Sequence, residues 1–599
     1  MSIQVTPNAT PVRPGVQIAV NTDSLSGAAS DSQKKLVLLG TANGGVPGQI
    51  YQINTLSQAK QYFRSGDLVD AIEMAFSPTS GISSGQILAE RVSDATQSSF
   101  TNNGLSVKSL LYSADANNIQ LSLLDNPLNH TKTMQVYFPK ENYVANYTNL
   151  GNIFALSYNG SEQYASVEIV SGSAPTPNGV TTTQIPDGVQ AQASTESSET
   201  GNASSLILKA GADQTSATVA KTFDLTSAGY QTTSDLMTAI NQIDGFAAVY
   251  NDYGAHNIAP SYYDAVPETK LGTTASPTQI QALGGDIVNS LSSDAWVNAT
   301  YDASKGEPDV FSLTPMTGAH NDTGEIVSWS NFLSNLSSQE GYYIVPLTDD
   351  VSIQGEAMAF AIDRGQEGDF RTVFVGGGVN ETYQQVMARA NSLRTTEAKI
   401  MVNATSGSRL MNNGTVKDLP GYIIAAGIAG LASGLPVGDS IKLRSVSLQD
   451  IDQKYSKDQL DALTTQGIIA LNFVRNGSDQ EFVITDDVTT AKAISDDPTV
   501  TELANGEASD YIVSALRRNL TINFLGHKTN SLTAKDIKAS VISFLMEMET
   551  EGLVQDYSES DIFVSITGDT AQVSMVVVPS RTLNHIYVTL NYTNETLTA

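Results

Sequence analysis

The sequence predicts an α/β fold with α+β character: a discontinuous core of alternating strands and helices, split by a long, mostly-β insertion. Short apolar runs, KKLVLLG at 34–40 and RTVFVGGG from Arg371, suit strands buried on both faces of a parallel sheet. From about residue 98 to about 335, apolar and polar residues alternate between Asn- and Gly-rich turns, the pattern of half-solvated antiparallel strands. At Gly341 the first texture returns. A chain of 599 residues also exceeds what a single hydrophobic core fills, so roughly two to four domains are expected.

The elements follow in order. After a punctuated start (Pro11, Pro14, Gly15) comes the strand at 34–40. Asp67 reads as the N-cap of a helix that turns Leu68, Ala71, Ile72, Ala75 and Phe76 inward, and Pro78 stops it. Residues 87–92 return as a strand. In the insertion, strands are expected at 105–113, 118–124, 134–138 and 166–170, while 171–205, biased to Ser, Thr, Pro, Gly and Gln, reads as a long loop. Leu236, Met237 and Ile240 share a helical face ahead of a strand at 246–250. The insertion is therefore drawn as a β-rich module at 98–205 and an α+β module at 206–335.

The core resumes with YYIVPL from Tyr342, a helix around 358–362, the Arg371 run, AKIMV from Ala398 and a strand at 467–474. Two helices carry stripes of Val513, Leu516, Leu520 and Phe524, then Ile537, Val541, Phe544, Leu545 and Met548. Thr533 with Asp536 makes a capping-box start, and Gly552 suits a helix C′ position. Strands close the chain at 562–566, 573–578 and 586–590. The last either completes its own sheet or adds to a neighbour's.

Composition narrows the function. With 62 acidic against 32 basic side chains, a net charge of -30 repels a polyanion, and nucleic acid is not expected as a partner. Cysteine is absent, which removes disulfides, thiolate metal sites and a cysteine nucleophile. The N-terminus lacks a basic and apolar leader pattern and no apolar run reaches membrane length, so a chain folded in the cytosol is expected.

The search for chemistry returns little. His130, His256, His320, His527 and His585 are scattered without zinc spacing, and no G-x-S-x-G elbow falls at a strand-to-helix turn. The acid pairs Asp349/Asp350, Asp486/Asp487 and Asp496/Asp497 read as loop solvation and helix caps. Gly376, Gly377 and Gly378 follow a strand and resemble a phosphate cradle, yet lack the G-x-G-x-x-G and Walker spacings; a tight βα turn is the plainer reading. The small-residue stretch at 421–438 reads as a close-packed core helix. Neither a catalytic group, a metal nor a cofactor is expected.

Taken together, several segments resemble the tail sheath protein of contractile-tailed bacteriophages. They are PVRPGVQI at Pro11, the stretch from KKLVLLGTANGG through DLVDAIEMAF, and GLSVKSLLYSADANNIQLSL from Gly104. LPGYIIAAGIAGLASGLPVGDSIKLR, TQGIIALNFVRNG, YIVSALRRNL, SFLMEMETEGLVQDY and RTLNHIYVTLNY follow in the family's order. The resemblance implies a discontinuous sheath core domain at 34–97 and 336–580, an N-terminal arm at 1–33 and a C-terminal arm at 581–599. It implies strands exchanged between subunits, placed at Gly15, Val16, Gln17 and Ile18 and at Ile586, Tyr587, Val588, Thr589 and Leu590.

The implied function is structural: a helical tube of identical subunits in the virion, assembled in the host cytoplasm, that surrounds the tail tube protein and contracts. Implied partners are further copies of the chain, the tube, and baseplate, terminator and neck proteins, without insertion into a membrane. Arg517, Arg518, Lys535 and Lys538 are the candidate tube-facing or inter-subunit charges, against the plainer reading of a solvated helix face. Two alternatives stand beside this: another virion or cell-surface structural protein, and an α/β nucleotide-binding enzyme using the Gly376 turn.

Overall fold

The computed structural model describes residues 34–127, 131–171, 199–200, 203–251, 257–324, 326–476, 479–528 and 533–580. The expected arms at 1–33 and 581–599, including every residue named for strand exchange, lie outside the described residues, as does most of the 171–205 loop.

The apolar runs assemble into one seven-stranded sheet. In chain order its elements are β1 (Leu36–Gly40), β2 (Ile50–Ile53), α1 (Leu56–Phe63), α2 (Asp67–Phe76) and β3 (Ile87–Arg91). After the insertion come β4 (Tyr343–Pro346), α3 (Val351–Gln366), β5 (Thr372–Gly376), α4 (Tyr383–Ser392), β6 (Lys399–Asn403), α5 (Gly421–Gly434), α6 (Lys457–Thr465) and β7 (Ile468–Ile469). The spatial order is β2-β3-β1-β4-β5-β6-β7, parallel throughout except for β2 on the edge. Alternation on each strand divides the core into two layers. Leu36, Leu38, Tyr343, Phe374 and Met401 pack on α1, α2 and α5, while Val37, Leu39, Ile344, Val373 and Ile400 pack on α3, α4 and α6. The small-residue helix α5 lies directly on α2, because a Cβ at Gly427 or Gly430 would strike Met74 or Ala75.

Three local expectations are corrected. Asp67 is the first helical residue rather than the cap; Gly66, at φ 115, holds the cap position, and the Asp67 carboxylate accepts from Tyr422 Oη at 2.6 Å. The strand expected at 467–474 is two strands, since Thr485 Oγ1 pairs with both N and O of Ala470 and bends the chain from the main sheet into a separate hairpin with Asp479–Ile484. The strand expected at 573–578 likewise breaks, its halves joining different partners.

The insertion contains two hydrophobic clusters, one nested inside the other. The outer gathers residues from 105–150 and 283–319, around Leu121, Val136, Ile287 and Trp296. The inner gathers 153–282, around Phe154, Leu206, Phe223 and Ile240. The boundary expected between 205 and 206 falls inside a sheet, where Tyr164–Ser171 pairs with Ala203–Gly211. Core packing also resumes before 336: Trp329 and Leu333 belong to the α3 and α4 layer.

Beyond the sheet lies a C-terminal module of α7 (Leu503–Phe524), α8 (Ala534–Thr550), β8 (Val554–Tyr557), β9 (Phe563–Thr567), β10 (Thr570–Ser574) and β11 (Val577–Pro579). Both expected stripes contribute to its small core, through Leu516, Ile537, Val541, Phe544, Leu545 and Met548. Thr533 and Asp536 form the capping box. Gly552, at φ 77, closes α8 as the expected C′ residue, its N–H donating to Glu549 O at 2.9 Å and that of Leu553 to Met548 O at 2.7 Å.

Candidate assembly surfaces

Open α/β sheets bind ligands outside the carboxyl ends of their strands, where the strand order reverses. Here that point lies between β1 and β4, since the chain passes from β1 to β3 on one side and from β4 to β7 on the other. The crevice is filled from within. A Cβ on Gly40 would run into Leu347, and Leu347 N donates to Leu39 O at 2.8 Å, extending the pairing past the strand ends.

The glycine turn next to it is equally occupied. Gly376 abuts the backbone of Gly421 at the start of α5, so the first glycine is required by close approach. Gly377 and Gly378 lie beside the carboxylates of Glu381 and Asp349, which oppose a phosphate. Glu381 pairs with Arg389 at 2.6 Å, Arg389 Nη1 donates to Gln354 Oε1 at 2.8 Å, and Gln354 Nε2 donates to Gly376 O at 2.8 Å. This network braces a tight turn.

The acid pairs divide. Asp350 and Asp497 are helix caps, accepting from Ser352 N at 2.7 Å and Thr499 N at 2.9 Å. Asp487, expected in a solvated loop, is fully buried: it accepts from Ser440 Oγ at 2.6 Å, and burial pushes its carboxyl up to about 6 against the pull of Lys442. His320 and His527 are exposed, and the other three histidines lie outside the described residues. Among the described residues no group of three or more His, Asp or Glu side chains is arranged to hold a metal ion, and no described helix is long and apolar enough to cross a membrane.

What remains is surface. Of the four candidate cations, two are engaged internally. Arg517 Nη1 donates to the carbonyls of Glu367 and Gly368 at 3.1 and 3.4 Å, tying α7 to the end of α3, and Lys538 donates to Glu559 O and Ile562 O at 2.6 and 2.8 Å. Arg518 and Lys535 are exposed. The same module also exposes Ile522, Leu525, Met546, Phe563, Val576 and Val578.

Sequence reasoning missed the joint between module and sheet. The first turns of α7 pass the amino ends of the core strands, where Lys399 meets Asp510 at 2.6 Å and Tyr342 Oη donates to the same carboxylate at 2.7 Å. Lys34, immediately before β1, pairs with the buried Glu507 and donates to Leu435 O and Pro436 O at 3.0 and 3.1 Å. Lys34 and Glu507 lie hundreds of residues apart, and no local pattern announces such a pair.

Comparison with known proteins supplies the family. Residues 495–593 match the family model described as the phage tail sheath C-terminal domain. A solved sheath tail protein from Listeria innocua shares the fold, with a TM-score of 0.50 at 12% identity over 92% of this chain and 93% of that one. The chain is 33% identical to the tail sheath protein of Staphylococcus phage Twort across 98% of both. It is 37% identical to a protein provisionally named as the tail sheath protein of Enterococcus phage phiEF24C across 100% of both. Identity sustained at that level from end to end makes the chain a member of the phage tail sheath protein family.

Proposed function

We propose that the chain is the repeating subunit of a contractile tail sheath, a virion component whose copies polymerise as a helical tube around an inner tail tube. The observation that carries this reading is the end-to-end identity with two tail sheath proteins. Contraction is then the relaxation of a metastable lattice between two subunit packings, driven by contact free energy and not by turnover of a ligand. Tail tube, baseplate and neck proteins are the partners this role requires, and assembly takes place in the host cytoplasm.

In the same reading, the arms at 1–33 and 581–599 exchange strands between subunits, through Gly15–Ile18 and Ile586–Leu590. Support comes from the module next to the C-terminal arm. Its sheets, β8 with β11 and β9 with β10, have two strands each among the described residues. Two-stranded sheets are marginal alone and gain from added strands. Of the candidate cations, Arg518 and Lys535 are those available to another chain.

Negative-stain electron microscopy of the purified protein over a concentration series tests the role. Hollow, striated tubes are expected; particles that stay monodisperse at high concentration, even with tail tube protein as template, overturn it. Deleting residues 585–599 should leave a folded, soluble chain that forms no tubes. Tubes at normal yield from that truncation overturn the strand exchange alone.

A further inference from the structure

The charges of the C-terminal module are sorted along its length. Residues 517–538 hold five basic side chains (Arg517, Arg518, Lys528, Lys535, Lys538) and one acid, the capping Asp536. Residues 539–580 hold no basic side chain and seven acids, beginning with Glu547, Glu549 and Glu551. In a chain of net charge -30, a stretch of excess positive charge stands out against its background.

The fold turns this order into a polar object. α7 and α8 pack as a helical hairpin, held where Ser540 Oγ donates to Asn519 Oδ1 at 2.9 Å. The half of the hairpin nearer its turn carries the exposed Arg518, six residues before the end of α7, and the exposed Lys535 in the first turn of α8, with the exposed apolar Ile522 and Leu525 on the stripe that Arg518 begins, four and seven residues on. Ile522 is 71% exposed. At the far end of α8, Glu547, Glu549 and Glu551 face solvent beside Met546, itself 55% exposed. Tyr557, next to this end, titrates above its ordinary value, first through desolvation and then through the carboxylates of Glu549 and Glu559.

Arg518 helps Lys35 hold the Glu340 carboxyl below its ordinary value, and beyond that two features leave the opposite charges of the hairpin unmatched to one another. At about 1.5 Å per helical residue, Lys535 stands roughly 18 to 24 Å from the three carboxylates, beyond the screening length of about 8 Å at physiological salt. The last turn and cap of α8 hold those carboxylates and no cation, the sign that the helix dipole disfavours at a C-terminus. Charges set against local preference point to a contact outside the chain.

We propose that the α7–α8 hairpin makes a head-to-tail contact between copies of this chain: the basic, apolar tip of one, formed by Arg518, Ile522, Leu525 and Lys535, seats on the acidic end of α8 in the next. A heterologous contact of this kind propagates into a helical array. The proposal rests on self-assembly of the chain and adds the surfaces that meet.

Charge reversal of the full-length protein tests it, with circular dichroism as the check on folding. R518E/K535E and E547K/E549K/E551K are each expected to raise the critical concentration for assembly at least tenfold. An equimolar mixture of the two variants should assemble near the wild-type threshold, because each tip then meets a face of opposite sign. The E547K/E549K/E551K chain should also melt higher than wild type while unassembled, since its helix dipole is better matched. Wild-type thresholds for both variants, or a mixture no better than its components, overturn the contact while leaving the sheath role intact. A wild-type chain that never self-associates overturns both.

Discussion

In the α/β core, Glu381, Arg389 and Gln354 close on one another around the Gly376 turn. In the C-terminal module, Arg518, Lys535 and the acids ending α8 face solvent, together with Ile522 and Met546. The core fills with Leu347 the crevice where such sheets hold ligands and braces its glycine turn from within. Among the described residues the module has a small apolar cluster, two-stranded sheets and unmatched surface. The fold thus keeps the architecture of a ligand-binding sheet but occupies its crevice, and leaves exposed charge and apolar surface on the module.

The sharpest way to break this contrast is at the joint between the two regions. Lys34→Ala strands the Glu507 carboxylate in the interior and should lower stability by about 3–5 kcal/mol. The midpoint of denaturant unfolding followed at Trp329, which belongs to the core, is the measurement. Lys34→Met with Glu507→Leu should recover most of the loss; if it does not, the pair contributes something beyond mutual compensation.

A smaller effect measures what one buried carboxyl costs the core. Glu90 is fully buried, accepts from Asn335 Nδ2 at 2.7 Å, and is pushed by burial from 4.5 up to about 8. Because the folded chain holds this proton and the unfolded chain releases it, stability falls as pH rises from 4.5 and levels off above about 8. By pH 7 the loss is on the order of 3 kcal/mol. Glu90→Gln should remove that slope in a series of melts between pH 5 and about 8, and an unchanged slope would assign it to another group.

The smallest effects compare two glycines. Gly376→Ala drives a Cβ into the Gly421 backbone and should cost about 2–3 kcal/mol. At Gly552 the added Cβ meets no atom within 4 Å, so only its positive φ resists, at about 1 kcal/mol. Equal shifts in melting temperature would contradict the difference in packing between the regions.

The core was legible because strands buried on both faces must be apolar runs, and residues 36–39 and 400–402 carry that signal at every position. The helix pair of the module was legible from its stripes and from Thr533, Asp536 and Gly552. Strand pairing inside the insertion was not, because alternation marks a strand without naming its partner. Tyr143–Leu150 and Asn152–Tyr158 passed unrecognised, and the nesting of one cluster inside the other depends on contacts between residues as distant as Leu105 and Tyr301. Among the candidate surface charges, Arg517 was misread because its acceptors are main-chain carbonyls 149 and 150 residues away, which side-chain patterns do not report.

The neck of the insertion carries a consequence of its own. The outgoing and returning chains run side by side there, Thr96 bridging His320 and Ser99 bridging Thr317, while Asp94 accepts from Thr323 N at 2.9 Å. A segment whose two ends emerge as neighbours can be shortened, exchanged or removed without asking the host fold to span a gap. Chains sharing this core are therefore free to diverge by trading one cassette, and an engineer wishing to mount a foreign domain has its attachment point already drawn.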